Sequence, residues 1–201
     1  VGFGHLFIPG VDFMKGISAL AAGNLFAGRS VTIFKSTIMQ RITNNLWFDR
    51  EAKAAARYYT SVFKNSSIGR IIYYGKEGHE IHKMPEGTVM TIEFELDGQQ
   101  FVGLNGGPVF KFNEAVSFIV NCKDQEEVDY YWEKLKEGGD PKAQQCGWLK
   151  DKYGVSWQIV PTVLSDLVSD PASEKSQRAM AAMLQMKKLD IAALQKAYDG
   201  E

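Results

Sequence analysis

Residues 144–161 read QQCGWLKDKYGVSWQIVP. The stretch has the pattern of a β-hairpin. Cys146, Trp148 and Leu149 fall in a first apolar strand, and residues 150–154 (KDKYG) form a charged, Gly-terminated turn. Val155, Trp157 and Ile159 then alternate with Ser156, Gln158 and Val160 in a second strand. Pro161 has no N–H to donate, so the pairing stops there. An earlier stretch, residues 94–108 (FELDGQQFVGLNGGP), repeats the plan: strand, Asp-Gly turn, strand, Pro. Each hairpin follows a strand and a helix, which predicts one module used twice.

Working outward, residues 42–48 (ITNNLWF) predict the opening strand of the first module. Asp49 is expected to cap a helix over 49–64, with Glu51 in its first turn. Ala52, Ala55, Ala56, Tyr59, Val62 and Phe63 recur at helical spacing and mark its buried stripe. Strands follow over 68–74, 88–96 and 101–105, with a polar loop at 75–87 that holds His79 and His82. In the second module, residues 116–121 predict a strand. Asp124 caps the next helix, with Glu127 three residues on as in a capping box, and Val128, Tyr131, Trp132 and Leu135 form its apolar stripe. Between Gly139 and Gln144 there is little room, so one strand of this module is expected to be short or missing.

Beyond Pro161 the spacing predicts a helical tail over 162–201. It has helices at 162–168, 174–186 and 190–198, and Ala179, Met180, Met183 and Met186 on one side of the middle one. Its Met180–Met186 stripe is expected to pack on a partner subunit, since methionine fills irregular gaps well. Residues 1–39 stand apart: six glycines are scattered through them and Asp12 is their only acid. The reading is an N-terminal extension, poorly packed or not native, with translation starting near Met39 and a short helix over 17–26. The domain plan is therefore 1–39, a two-module domain at 40–161 (modules 40–108 and 113–161), and the tail.

Composition narrows the function classes. With 23 Lys and Arg against 24 Asp and Glu, the net charge of −1 supplies no basic field for nucleic acid. Two cysteines are too few for a disulfide framework, and free thiols in a reducing, cytoplasmic compartment are expected. No run of about 18 apolar residues appears, so no membrane span is expected.

With these residues placed, the chain resembles the PhnB-like branch of the vicinal oxygen chelate superfamily. That superfamily contains glyoxalase I, bleomycin- and fosfomycin-resistance proteins and extradiol dioxygenases. The matching pieces are LWFD at 46–49, YYTSVFKNS at 58–66, LNGGP at 104–108, the 144–161 stretch, and MLQMKKLDIAAL at 183–194. The resemblance implies an α+β fold: paired βαβββ modules forming a curved mixed sheet around a cleft, with a C-terminal helical tail, in a homodimer. The same branch often carries the label of a demethylubiquinone methyltransferase. No Gly-rich strand-to-helix loop followed by an acidic residue, as a nucleotide-like cofactor on a doubly wound fold requires, is present.

Active members of the superfamily hold a divalent metal through His, Gln or Glu, where it acts as a Lewis acid on vicinal oxygens. Carried over one by one, the first position falls near Asn44, the fifth-strand position near Ser117 and the last on Gln158. On the closing strand of module one, none of Val102, Gly103, Leu104 and Asn105 is a carboxylate. Neutral amides are poor ligands for a hard cation, so a metal-free cleft is expected and no cofactor is assigned. His79 and His82 (HEIH) have no third ligand nearby and read as a solvated loop. Cys146 reads as an inert buried thiol. Cys122 sits beside a helix N-terminus that would depress its pKa, and packing at a strand end is the stronger reading.

The candidate cleft residues are Asn44, Trp47, Asn105, Ser117, Trp148, Trp157 and Gln158. The polar ones either line a cleft or bond one another and stitch the sheet. The expected function is a metal-free dimer binding a small aromatic or polar molecule. The alternatives are a metal-dependent lyase or dioxygenase with an unusual N/O ligand set, and a structural dimer with no ligand.

Overall fold

The computed structural model describes residues 42–201, so the expectations for 1–39 lie outside the described residues. Module one runs β1 (Asn44–Phe48), α1 (Ala52–Val62), β2 (Ser67–Tyr73), a one-turn α2 (His79–His82), β3 (Val89–Leu96) and β4 (Gln99–Asn105). Module two runs β5 (Ser117–Cys122), α3 (Gln125–Lys136), a 3-10 turn (Pro141–Ala143), β6 (Trp148–Lys150) and β7 (Ser156–Pro161). The tail is α4 (Leu164–Val168), α5 (Glu174–Leu184) and α6 (Ile191–Asp199).

The strands form two mixed sheets, β1-β4-β3-β2 and β5-β7-β6. Each module pairs its first strand parallel to its last, and closes with an antiparallel hairpin. The second module lacks a counterpart of β2. The 3-10 turn and a single bridge between Gln145 and Trp148 stand in its place, as the short 139–144 segment predicts. In module one, Asp97 and Gly98 both have positive φ (45° and 82°), the pairing a tight hairpin turn needs.

The apolar stripe of α1 is the expected one, with Ala52, Ala55, Ala56, Tyr59 and Val62 buried. Small alanines let the helix lie close on the first sheet. A Cβ at Gly103 would meet Ala52 Cβ and Ile92 Cγ2, each at 3.2 Å, so the bare backbone of β4 admits the helix. The start of α1 differs from expectation. Asp49 does not cap it; the helix begins at Ala52, whose N–H donates to Asn105 Oδ1 at 2.9 Å. By contrast, Asp124 caps α3 as predicted, accepting from Glu127 N at 2.9 Å, while Glu127 Oε2 takes the Lys123 N–H at 3.0 Å.

One core serves both modules. Tyr59 of α1 packs on Phe94 of β3 and on Trp157 of β7, and Phe101 of β4 meets Phe118 of β5 at 5.2 Å. A smaller core of Leu167, Ala179, Leu189 and Leu194 holds the tail. Met183 and Met186 pack, partly buried, against that core of their own chain, and Met180 is 37% exposed. The tail is fastened to the hairpin by Cys146 N and Gly147 N, which donate to Met186 O and Lys187 O at 2.8 Å. Left-handed backbone at Cys146 and Gly147 (φ 50° and 84°) turns both N–H groups that way. Cys146 is therefore in a bend before β6, not in a strand. Among the described residues, no helix is long and apolar enough to cross a membrane.

Candidate functional site

Strand register decides which residues can meet. In the first sheet, Asn44, Leu46 and Phe48 share the face that α1 covers, together with Phe101, Gly103 and Asn105 of β4. The opposite, open face carries Asn45, Trp47, Gln100, Val102 and Leu104, with Thr91, Glu93 and Glu95 across the ladder. Asn44 and Asn105 are thus on the helix side of the first sheet; Asn44 still lines a cavity of about 570 Å³ there, with Phe101, Phe118 and Trp157. Asn105 is 1% exposed, and both ends of its amide are used: Oδ1 caps α1, and Nδ2 donates to Val89 O at 2.9 Å. It is a structural residue, which corrects its place among the cleft candidates. Asn44 is half-buried, with Nδ2 reaching Gln100 O at 3.4 Å.

Trp157 is also core. It is 3% exposed, and its indole N–H donates to Asp151 Oδ2 at 2.8 Å. Asp151, in the charged turn at 150–154, is itself 3% exposed. Its carboxylate takes four donors: Tyr59 Oη and Trp157 Nε1 at 2.8 Å, Tyr153 N at 2.8 Å and Val155 N at 3.0 Å. Burial pushes its pKa up, and the hydrogen bonds pull it partly back down. Burial, then the Asp151 charge, also holds the Tyr59 phenol well above its usual range. This network ties α1 of one module to the hairpin of the other. The acidic residue in the turn was visible in the sequence; its burial was not, since Tyr59 lies 92 residues away.

Ser117, Trp148 and Gln158 do come together, on the open face of the second sheet. Gln158 is in register with Trp148 of β6 and Ile119 of β5. Gln158 Nε2 donates to Ser117 Oγ at 2.9 Å. Helices α4 and α5 wall this face off on one side, leaving a cleft of about 580 Å³. Trp148, Ile119, Val160 and Met183 make its apolar walls; Gln158, Asn121, Thr162 and Ser165 supply polar groups, and no charged side chain is among the described residues that line it. Trp47, the remaining candidate, borders a different cavity, with its indole N–H fixed on Gly107 O at 2.8 Å.

The positions carried over for a metal do not fit one. Asn44 offers a neutral amide that donates to Gln100 O, the Gln158 amide donates to Ser117 Oγ, and no carboxylate or imidazole stands on β7. Among the described residues no group of three or more His, Cys, Asp or Glu is disposed to hold an ion. His82 stacks on Tyr74 at 4.4 Å and its Nδ1 accepts from Met84 N at 3.0 Å, so α2 is an ordered turn rather than a loop.

The two cysteines differ sharply. Cys146 lines the Gln158 cleft and is half-buried. Cys122 is fully buried, and burial, followed by the Glu127 and Asp124 charges, pushes its thiol up to about 12. The helix-dipole effect expected at Cys122 is outweighed by desolvation. Thiol titration of the folded protein at pH 8 is expected to label one cysteine per chain, Cys146, and to label both only after denaturation. Fast labelling of Cys122 in the folded protein would contradict its burial.

A family model described as 3-demethylubiquinone-9 3-methyltransferase matches residues 40–160. Among solved structures, the chain is similar to the putative 3-demethylubiquinone-9 3-methyltransferase, PhnB protein, from Bacillus cereus, at 37% identity and a TM-score of 0.52. That match covers 61% of this chain and 100% of the other. The fosfomycin resistance protein FosX from Listeria monocytogenes is similar at 16% identity and a TM-score of 0.41, over 64% of this chain and 98% of that one. Lactoylglutathione lyase from Agrobacterium tumefaciens follows at 14% identity and a TM-score of 0.34, over 63% of this chain and 96% of that one. Among curated proteins, none matches the chain.

Proposed function

The chain belongs to the 3-demethylubiquinone-9 3-methyltransferase family, PhnB-like proteins of the vicinal oxygen chelate superfamily with their α+β, glyoxalase-like fold; from that premise we propose that it binds a neutral, planar, largely apolar small molecule, without a metal, as a cytoplasmic homodimer. The observation that carries this reading is the Gln158 cleft: an indole wall, aliphatic sides and the Gln158 amide, held on Ser117 Oγ, with no charged residue among the described residues that line it. A charged ligand would lose its hydration there and gain no counter-ion. A neutral aromatic ring gains contact with Trp148, and a hydroxyl or carbonyl on it replaces water at Gln158.

Support for the dimer comes from apolar residues left uncovered. Ile72 and Tyr73 on the edge strand β2 are 41% and 51% exposed. Edge strands with exposed large hydrophobic side chains call for a cover, and a second copy of the chain supplies one.

Native mass spectrometry of the purified protein tests both parts. The expected spectrum shows a dimer that retains a neutral organic ligand. Gln158→Leu keeps the volume, removes the amide, and is expected to reduce ligand retention about tenfold. A monomer, or a charged ligand, would refute the corresponding part. Stoichiometric Ni²⁺, Zn²⁺ or Mn²⁺ after soaking, with metal-dependent turnover lost in Gln158→Ala, would establish the enzyme reading in its place.

A further inference from the structure

The connection between β2 and β3 is closed by a histidine whose two ring nitrogens are both engaged. Met84 N donates to His82 Nδ1 at 3.0 Å, and His82 Nε2 lies 3.2 Å from Glu77 O. An amide N–H has a proton to give and a carbonyl has none. Nδ1 is therefore the bare nitrogen and Nε2 the protonated one, which fixes a neutral ring in a single tautomer. The Met84 bond copies an Asx-turn, in which a side-chain acceptor takes the N–H two residues on.

The backbone is shaped around this ring. Left-handed residues at Gly78 and Lys83 (φ 78° and 57°) bound the single turn of α2, and a Cβ on Gly78 would come 3.4 Å from His82 Cδ2. Met84, just beyond, is buried, and a Cβ on Gly107 would meet its Cε at 3.7 Å. Its side chain is thus seated beside the segment that links the two modules. Two titratable groups meet the imidazole: Tyr74 of β2, whose ring lies at 4.4 Å, and His79 of α2, at 6.0 Å. The Tyr74 hydroxyl donates to Asn105 O, and burial holds its phenol above the usual range, so it stays neutral. Among the described residues no ion pair involves His82. The Tyr74 face attracts an imidazolium; what opposes one is the Met84 N–H aimed at Nδ1.

We propose that His82 is a pH-sensitive latch on residues 77–84. A proton taken from water at Nδ1 sets N–H against N–H, breaks the Met84 bond and opens the turn, freeing the Met84 side chain from beside the linking segment. The open turn accepts a proton that the closed one has no place for, so acid favours opening.

Amide exchange followed by NMR on the full chain tests the latch. If the open turn protonates at the ordinary imidazole value of about 6.5, the open fraction rises about tenfold between pH 7.5 and 5.5. Protection of the Met84 N–H, corrected for its intrinsic exchange rate, is expected to fall by that factor while protection in α3 holds. His82→Asn, whose Oδ1 closes the same turn without titrating, is expected to show equal protection at both pH values. His79→Asn is expected to keep the tenfold response. The ring-nitrogen shifts of His82 at pH 7.5 give a reading that needs no variant, and the Nε2–H tautomer is expected. Unchanged Met84 protection in the parent protein, the same fall in His82→Asn, loss of the response in His79→Asn, or an Nδ1–H tautomer would overturn the proposal.

Discussion

Replacing Asp151 with alanine is expected to remove about 3–5 kcal/mol of stability, the largest loss from any single polar substitution proposed for this protein. The carboxylate accepts from the Tyr59 hydroxyl, the Trp157 indole and the N–H groups of Tyr153 and Val155. Deleting it strands four donors in the shared core, and each unsatisfied buried donor costs about 1–3 kcal/mol unless water enters. Urea unfolding monitored by tryptophan fluorescence reads the effect. Asp151→Asn keeps one acceptor oxygen and turns an NH₂ toward donors, so an intermediate loss is expected. A loss below about 1 kcal/mol for the alanine variant would show that the network contributes little to stability.

The same residue predicts a pH signature. Its folded-state pKa is raised above the ordinary carboxylate value of 3.8 because burial outweighs its donors. A group raised on folding adds stability that is fully present below its unfolded pKa and fades as pH climbs through the folded one. From pH 3.8 upward, Asp151 should therefore contribute a downward slope to stability that Asp151→Asn lacks. Equal slopes in the two proteins across this range would contradict the direction of the shift.

The second large effect is expected at Asn105. Asn105→Ala is expected to cost about 2–3 kcal/mol, since it uncaps α1 at Ala52 and leaves Val89 O without its donor. The loss should be local as well as global. Hydrogen exchange at Ala52 should accelerate relative to α3, whose cap on Asp124 is intact. A loss under about 0.5 kcal/mol, with unchanged exchange at the start of α1, would mean that water replaces the amide at no cost.

Both residues show where reading along the chain stops being informative. Elements with local periodicity were legible: the α1 stripe, the alternation through β3, the Asp97-Gly98 turn, the Asp124 cap and the missing strand of module two. The site was less so. Of the seven candidate residues, Ser117, Trp148 and Gln158 come together on one face of neighbouring strands: Trp148 is in register with Gln158, and Ser117 is two residues along from it. Asn44, placed by resemblance, and Asn105, a polar residue on an apolar strand, both have side chains on the helix side of the first sheet. Side chains alternate with a period of two, so an error of one residue moves a group through the sheet.

What the sequence by itself determined is the succession of strands and helices and the duplicated plan, because turn chemistry and the periods of 2 and 3.6 are properties of neighbouring residues. The tertiary structure alone decided that a charged turn holds a buried carboxylate, that Asn105 closes a helix 53 residues earlier, and that Asp49 does not cap it. These outcomes depend on which donor meets which acceptor after the modules pack. That pairing is set by contacts between distant residues and by exclusion of water, and neither is written in a local pattern.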